Sequence, residues 1–205
     1  MKNSIKNISK AVFALALFTL AFTSCKKEND TAAPLSLNGA KASVSSVADT
    51  IVGRWGNPRF GGAAFGTVYA NIITGAQDTV GSIAHQLLFS SHNNSTVTPA
   101  TGYTLKYRNL TTALSSISLT DTVGATSVPT LGIATTSNAA NTTLNANGWL
   151  TYSTGGTIAS VQNLVIFVTE TSSGDVYALK FSSAVGQGTS TNNRGIYYFD
   201  RGPVL

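Results

Sequence analysis

Taken as a pattern of apolar and polar positions, the chain divides into three stretches. Ala11–Phe22 is an apolar run of about 12 residues, interrupted only by Thr19, behind Lys2, Lys6 and Lys10. Residues 26–49 are rich in Ala, Ser and Asn and hold no aromatic side chain. Such a stretch buries too little apolar surface to offset the entropy of ordering it, and it reads as a flexible tether. From Trp55 onward, short runs of period two recur, each closed by Gly, Asn, Ser or Pro, which is the signature of strands rather than helices.

The first of these runs is Thr67–Thr74. In His85–Ser90, His85, Leu87 and Phe89 fall on one face and Gln86, Leu88 and Ser90 on the other. Tyr103, Leu105 and Tyr107 likewise oppose Thr104, Lys106 and Arg108, a half-buried strand. Leu114–Leu119, Val128–Ala134 and Gly148–Ser153 supply three more candidates. Leu164–Val168 is apolar on both faces and predicts an inner strand. Thr171–Gly174 followed by Val176–Ser182 predicts a hairpin in which Gly174 supplies positive φ, and Gly195–Asp200 closes the series. Outside Ala11–Phe22 no 11-residue window carries a convincing helical period. The expected architecture is all-β: a single antiparallel β-sandwich or open barrel over residues 51–205. Trp55–Gly66 reads as a loop or short edge element packed through Trp55 and Phe60. Polar stretches at Ser91–Ala100, Ser137–Asn147 and Gly186–Asn193 read as loops, where binding residues of β scaffolds concentrate.

Charge narrows the classes of partner. Of 13 basic residues three leave with the amino-terminal segment, so ten face eight acidic ones and the mature net charge is +2. Charged residues are 10% of the chain, against about 25% in average soluble proteins. That excludes an electrostatic nucleic-acid binder and suits an exported β-rich surface.

The apolar run is too short to span a bilayer and, behind its lysines, reads as an export signal over residues 1–24. Ser24 directly before Cys25, the only cysteine, resembles the lipobox of bacterial lipoproteins. The resemblance implies a mature chain that begins at a lipidated Cys25, with residues 25–50 as its tether. Lys26–Asp30 resembles the charged tag that sends Bacteroidota lipoproteins to the outer face of the outer membrane. The expected location is therefore the outer membrane, lipid-anchored and facing outward.

Catalytic chemistry finds little support. Glu28 and Asp30 lie in the tether, and Glu170 and Asp175 flank a hairpin turn, where a solvated role is the expectation. There is no nucleophile elbow, zinc pattern or phosphate loop in the sequence. The chain reads as a binding protein, not an enzyme.

Gly148, Trp149 and Tyr152, then the apolar run Leu164–Val168, then Gly174–Phe181 with Tyr177 and Lys180, resemble the strand succession of the HmuY-like lipoproteins of Bacteroidota. Gly195–Phe199 is similar to the family's final strand. Phe65–Gly75 followed by Ala84–Phe89 is similar to its opening strands, with His85 and Gln86 where the family carries Trp-Asp. The resemblance implies a surface protein that takes haem from host proteins and passes it to an outer-membrane receptor. With Met1 removed and Cys25 acylated, iron is left with His85, His92 or a tyrosine. His85 is then either a packed core residue or a ligand, and His92 either a bystander in a polar loop or a ligand on a mobile arm. Lys106, Arg108 and Arg194 are candidates to meet propionates. A different reading makes the domain an adhesion module for a glycan or a protein, with Trp149 and Tyr152 as a stacking platform, unless Trp149 is core.

Asp30, Asp49, Asp78 and Asp121 each begin an Asp-Thr-apolar triplet, similar to an O-glycan acceptor pattern of exported Bacteroidota proteins, with Thr31 and Thr50 the expected acceptors. Intact mass spectrometry of the native protein reads both modifications. The mature mass is expected to include lipid and glycan. Cys25→Ala is expected to leave an unprocessed, unlipidated precursor, and a normally processed, lipid-labelled variant would sink the lipobox reading.

Overall fold

Leu164–Val168, apolar at every position, needs cover on both faces, and the fold is arranged to supply it. The computed structural model describes residues 45–137, 142–144, 147–153 and 157–205. The expected signal, Cys25, Thr31 and most of the tether lie outside these residues, as does part of the Ser137–Asn147 loop. Fourteen strands follow in chain order among the described residues: β1 (Val47–Val52), β2 (Val68–Ala70), β3 (Gln77–Asp78), β4 (Leu87–Ser90), β5 (Thr96–Pro99), β6 (Tyr103–Asn109), β7 (Thr126–Val128), β8 (Gly132–Ser137), β9 (Thr142–Leu144), β10 (Gly148–Tyr152), β11 (Ile158–Ser160), β12 (Leu164–Glu170), β13 (Val176–Gly188) and β14 (Asn193–Val204). They form a six-stranded sheet, β1-β14-β13-β12-β6-β7, and two four-stranded sheets, β11-β10-β8-β9 and β3-β2-β4-β5. The pairings are antiparallel except β8 with β10. The all-β expectation holds.

β12 lies between β6 and β13, as its two-faced apolar pattern predicts. Leu164, Ile166 and Val168 enter the main core that the six-stranded sheet shares with the two smaller ones. Val165 and Phe167 point the other way, into a second core with Leu114, Ile117, Val176, Ala178 and Val204. The segment between β6 and β7 caps that second core, and two cations hold it down. Lys180 Nζ donates to the carbonyls of Leu110 and Thr112 at 2.9 and 2.6 Å, and Arg108 Nη1 donates to those of Asp121 and Val123 at 3.2 and 2.8 Å.

Aromatic packing joins the three sheets. Trp149 of β10, fully buried, stands 4.3 Å from the Phe181 ring of β13 and 4.8 Å from Tyr197 of β14. Phe89 of β4 meets Trp149 edge-on at 6.1 Å. The indole Nε1 donates to the Ser95 carbonyl at 2.6 Å, and the Tyr197 hydroxyl to the Asn93 carbonyl, so neither polar tip is buried without a partner. Burial drives the Tyr197 phenol far above its usual pKa and keeps it a neutral donor.

Several sequence expectations change. The tether ends early: Val47–Thr50 already belong to β1, which pairs with β14 and buries Ile51. Asp49 accepts from Arg201 Nε at 2.6 Å, and Arg201 also donates to the carbonyls of Ile72 and Ile73. The partners of this edge strand lie some 150 residues away in sequence, so local composition carried no sign of it. Thr50 is thereby a ladder residue opposite Tyr198, and not a tether residue.

The run Thr67–Thr74 is strand only over β2, because Asn71 Oδ1 accepts from the amides of Ile73 and Thr74 and turns the chain. Leu114–Leu119 is no strand: 3-10 turns at Leu114–Ser116 and Leu119–Thr122 place Leu114 and Ile117 in the second core. The stretch Ser91–Ala100 is not simply loop, since it contains β5 with Val97 fully buried. Gly186–Asn193 narrows to a tip at residues 189–192, with β13 and β14 running on to it. The hairpin at Thr171–Gly174 is as expected, with Gly174 at φ 80°.

Truncating the central indole tests the joint between sheets. Trp149→Ala is expected to cost about 3–5 kcal/mol in urea unfolding. A loss below about 1 kcal/mol would mean that the three sheets are not held through this side chain.

Candidate ligand-binding site

Where the β13–β14 hairpin turns, the turn before β2 and the bend between β4 and β5 meet, and this end of the sandwich carries three clefts. Three residues of the bend, Ser91, Asn93 and Asn94, have φ of 65°, 52° and 57°. Short polar side chains tolerate that left-handed geometry by bonding locally. Asn94 shows how: its Nδ2 donates to the Gly66 and Phe89 carbonyls, both at 3.0 Å, and its Oδ1 accepts from the Arg54 amide at 2.8 Å. The bend is thus tied to the incoming chain before β2.

The two histidines sit at opposite ends of β4 and have different neighbours. His85 precedes the strand, with Nδ1 2.8 Å from the Ile83 carbonyl and its ring edge-on to Tyr69 at 4.9 Å. It is neither on the Leu87/Phe89 face nor in the core. The buried residue here is its neighbour Gln86, whose Oε1 accepts from the Ile72 amide at 2.9 Å. His92 lies in the bend, half-buried between the edges of Phe65 at 5.2 Å and Tyr152 at 5.1 Å. It is held in place, and not on a mobile arm. Burial, and secondly the Arg59 charge, lower its pKa below the usual 6.5, so the neutral imidazole is favoured.

His92 lines two clefts. One, of about 420 Å³, has mostly apolar walls that include Pro58, Arg59, Ala64 and Phe65. The other, of about 390 Å³, lies between Ser91, Thr96, Ile133 and Asn147. The two rings have separate neighbours, Tyr69 for His85 and Phe65 with Tyr152 for His92, and only His92 lines these two clefts. Among the described residues no three His, Cys, Asp or Glu side chains come together.

A third cavity, of about 410 Å³, opens beyond Tyr152 under the β13–β14 tip, with Asn57, Asn93, Asn193 and Arg194 in its lining. Asn57 Nδ2 donates to the Ser190 carbonyl at 2.8 Å and Asn193 Nδ2 to the Thr189 carbonyl at 3.1 Å. The Oδ1 atoms of Asn57, Asn93 and Asn193 are all buried without a hydrogen-bond partner. Arg194 donates from Nε and Nη2 to Gln187 Oε1 at 3.1 and 3.0 Å while its guanidinium lies 4.4 Å over the Trp55 ring. Gly188, at φ 103°, lets the tip close, since a Cβ there would come within 2.2 Å of the Asn192 carbonyl oxygen and 2.6 Å of Trp55.

Other residues singled out from the sequence serve the fold. Trp149 is core and offers no platform, whereas Tyr152 does line the cavity. Arg108 is taken by two backbone carbonyls, and Lys106 lies on the same face of β6, away from the main core. Of the proposed propionate partners only Arg194 stands at this end, joined by Arg59, which sequence reasoning passed over. The three asparagines were missed as well; their signal was the paired Asn at 93–94 and 192–193 in segments written off as loop.

Comparison with protein-family models, with curated proteins and with solved structures finds no match for this chain.

The depressed His92 pKa makes the unfolded chain bind a proton more readily than the folded one. Stability is therefore expected to fall as pH drops through and below 6.5. Urea midpoints between pH 7.5 and 5 should decline more steeply for the wild type than for His92→Gln. Equal slopes would show that this imidazole is not held neutral by the fold.

Proposed function

We propose that this chain is a non-enzymatic lipoprotein, anchored to the outer membrane through Cys25 and facing outward, that binds haem at the His92 end of its sandwich and hands it to an outer-membrane receptor. The observation that carries the reading is the state of His92: neutral, half-buried, walled by Phe65 and Tyr152, and shared by two adjoining clefts. A porphyrin needs a flat apolar slot, a lone pair for iron and a cation for its propionates. Phe65, Pro58 and Ala64 supply apolar wall, neutral His92 supplies the lone pair, and Arg59 supplies the cation. The resemblance of residues 148–183 to the HmuY-like lipoproteins adds the surface role and the receptor.

His85 has no part in this site. Its ring nitrogen is engaged with the Ile83 carbonyl and it lies at the other end of β4. That separation narrows the choice between His85 and His92 to His92. In a haemin titration followed at the Soret band, the wild type and His85→Ala are expected to bind one equivalent each. His92→Ala is expected to lose at least tenfold in affinity. A wild type without a Soret shift overturns the haem reading; loss in His85→Ala with retention in His92→Ala overturns the site.

A further inference from the structure

The three unpartnered oxygens of the third cavity ask for donors. A buried amide oxygen left without a hydrogen bond costs about 1–3 kcal/mol, and native proteins hold few such groups. Here three of them, Asn57 Oδ1, Asn93 Oδ1 and Asn193 Oδ1, gather at one cavity, and Asn57 and Asn93 are each only 3% exposed. The amide nitrogens of Asn57 and Asn193 are already spent on the carbonyls of Ser190 and Thr189, so rotating either amide would only exchange one orphan for another.

We propose that this cavity is a saccharide site, in which ring hydroxyls donate to the asparagine oxygens when the β13–β14 tip lifts. The oxygens are buried, and the exposed tip at residues 189–192 lies over this end through the bonds of Asn57 to Ser190 and of Asn193 to Thr189. The tip is tied to the rest by few bonds. Ser190 accepts from Asn57 and Asn193 exchanges backbone bonds with Gly56, while Thr189, Thr191 and Asn192 bond mainly within the turn. Lifting it exposes acceptors whose desolvation cost is already part of the free protein.

The rest of the lining selects the ligand class. No carboxylate lines the cavity and Arg194 does, which disfavours a metal cation despite three carbonyl-type oxygens. A ligand that both donates and accepts fits: hydroxyls donate to the asparagines, while Arg194 and the hydroxyls of Thr189 and Ser190 donate in return. Tyr152 and the exposed Phe60 add aromatic surface for the apolar face of a pyranose. The volume of about 410 Å³ lies within the range of small-molecule sites, about 300–1,000 Å³. This inference goes beyond haem binding and does not depend on the imidazole of His92.

The test is titration of the purified full chain with the methyl glycosides of glucose, galactose, mannose and N-acetylglucosamine, read by amide chemical shifts and calorimetry. At least one is expected to bind saturably, with the largest shifts at residues 56–62 and 186–194. Asn193→Ala and Arg194→Ala are each expected to weaken it at least fivefold. Their thermal midpoints and spectra show whether the fold is kept; Gln187→Ala, which removes a lining side chain and frees Arg194 from it, serves if either variant unfolds, with at least a twofold loss expected. His92→Ala should keep glycoside binding while haemin binding is lost, so the two readings fail separately. No saturable binding at tens of millimolar, binding indifferent to all three cavity variants, or a crystal structure of the soaked protein in which the oxygens are met by ordered water alone would each overturn the proposal.

Discussion

Everything in this domain hangs on the indole of Trp149. The chain builds three separate sheets, and the two smaller ones, of four short strands each, bury their apolar faces against the third. Trp149 on one, Phe89 on another, and Phe181 and Tyr197 on the six-stranded sheet form a single aromatic cluster. Its two polar tips extend the joint into the bend between β4 and β5, where Ser95 and Asn93 offer their carbonyls. Core packing and the placement of the candidate site are therefore one event. If the indole or the phenol moved, the bend that carries His92 would lose its anchor.

The six-stranded sheet imposes a second constraint. Its apolar content exceeds what one face can hold, so the chain spends the segment between β6 and β7 on a cover. Lys180 and Arg108 clamp that cover through backbone carbonyls, so these two cations are committed to the fold. The candidate clefts lie at the end where β13 and β14 meet in their turn. There the left-handed Ser91, Asn93 and Asn94 and the close approach at Gly188 shape clefts that regular strands do not make.

The two ligand readings occupy neighbouring parts of this end. His92 and its apolar cleft adjoin the asparagine cavity, with Asn57 in the lining of both and the Tyr152 ring against His92. Both follow from the same feature: polar side chains committed to a bend are held rigidly, so some of their groups are neutral, buried or unpartnered where a free loop would solvate them. Burial lowers the His92 pKa, and the asparagine oxygens have no protein donor.

The sequence by itself determined the all-β class, the inner position of Leu164–Val168, the hairpin at Gly174 and the core role open to Trp149. These follow from period-two alternation, two-faced apolarity and turn residues, all of which are local. Tertiary structure alone decided that Val47–Val52 is a strand, that Leu114–Leu119 is two tight turns, and that His85 and His92 part company. β1 exists because β14 and Arg201 wait for it, and the Leu114 segment turns because a second core lies beneath it. The asparagine cavity was the least legible of all. Its oxygens come from positions 57, 93 and 193, and nothing in a linear chain records that three distant amide oxygens will be buried together without a partner. Alternation is a property of neighbours in sequence, whereas an unpaired acceptor is a property of neighbours in space.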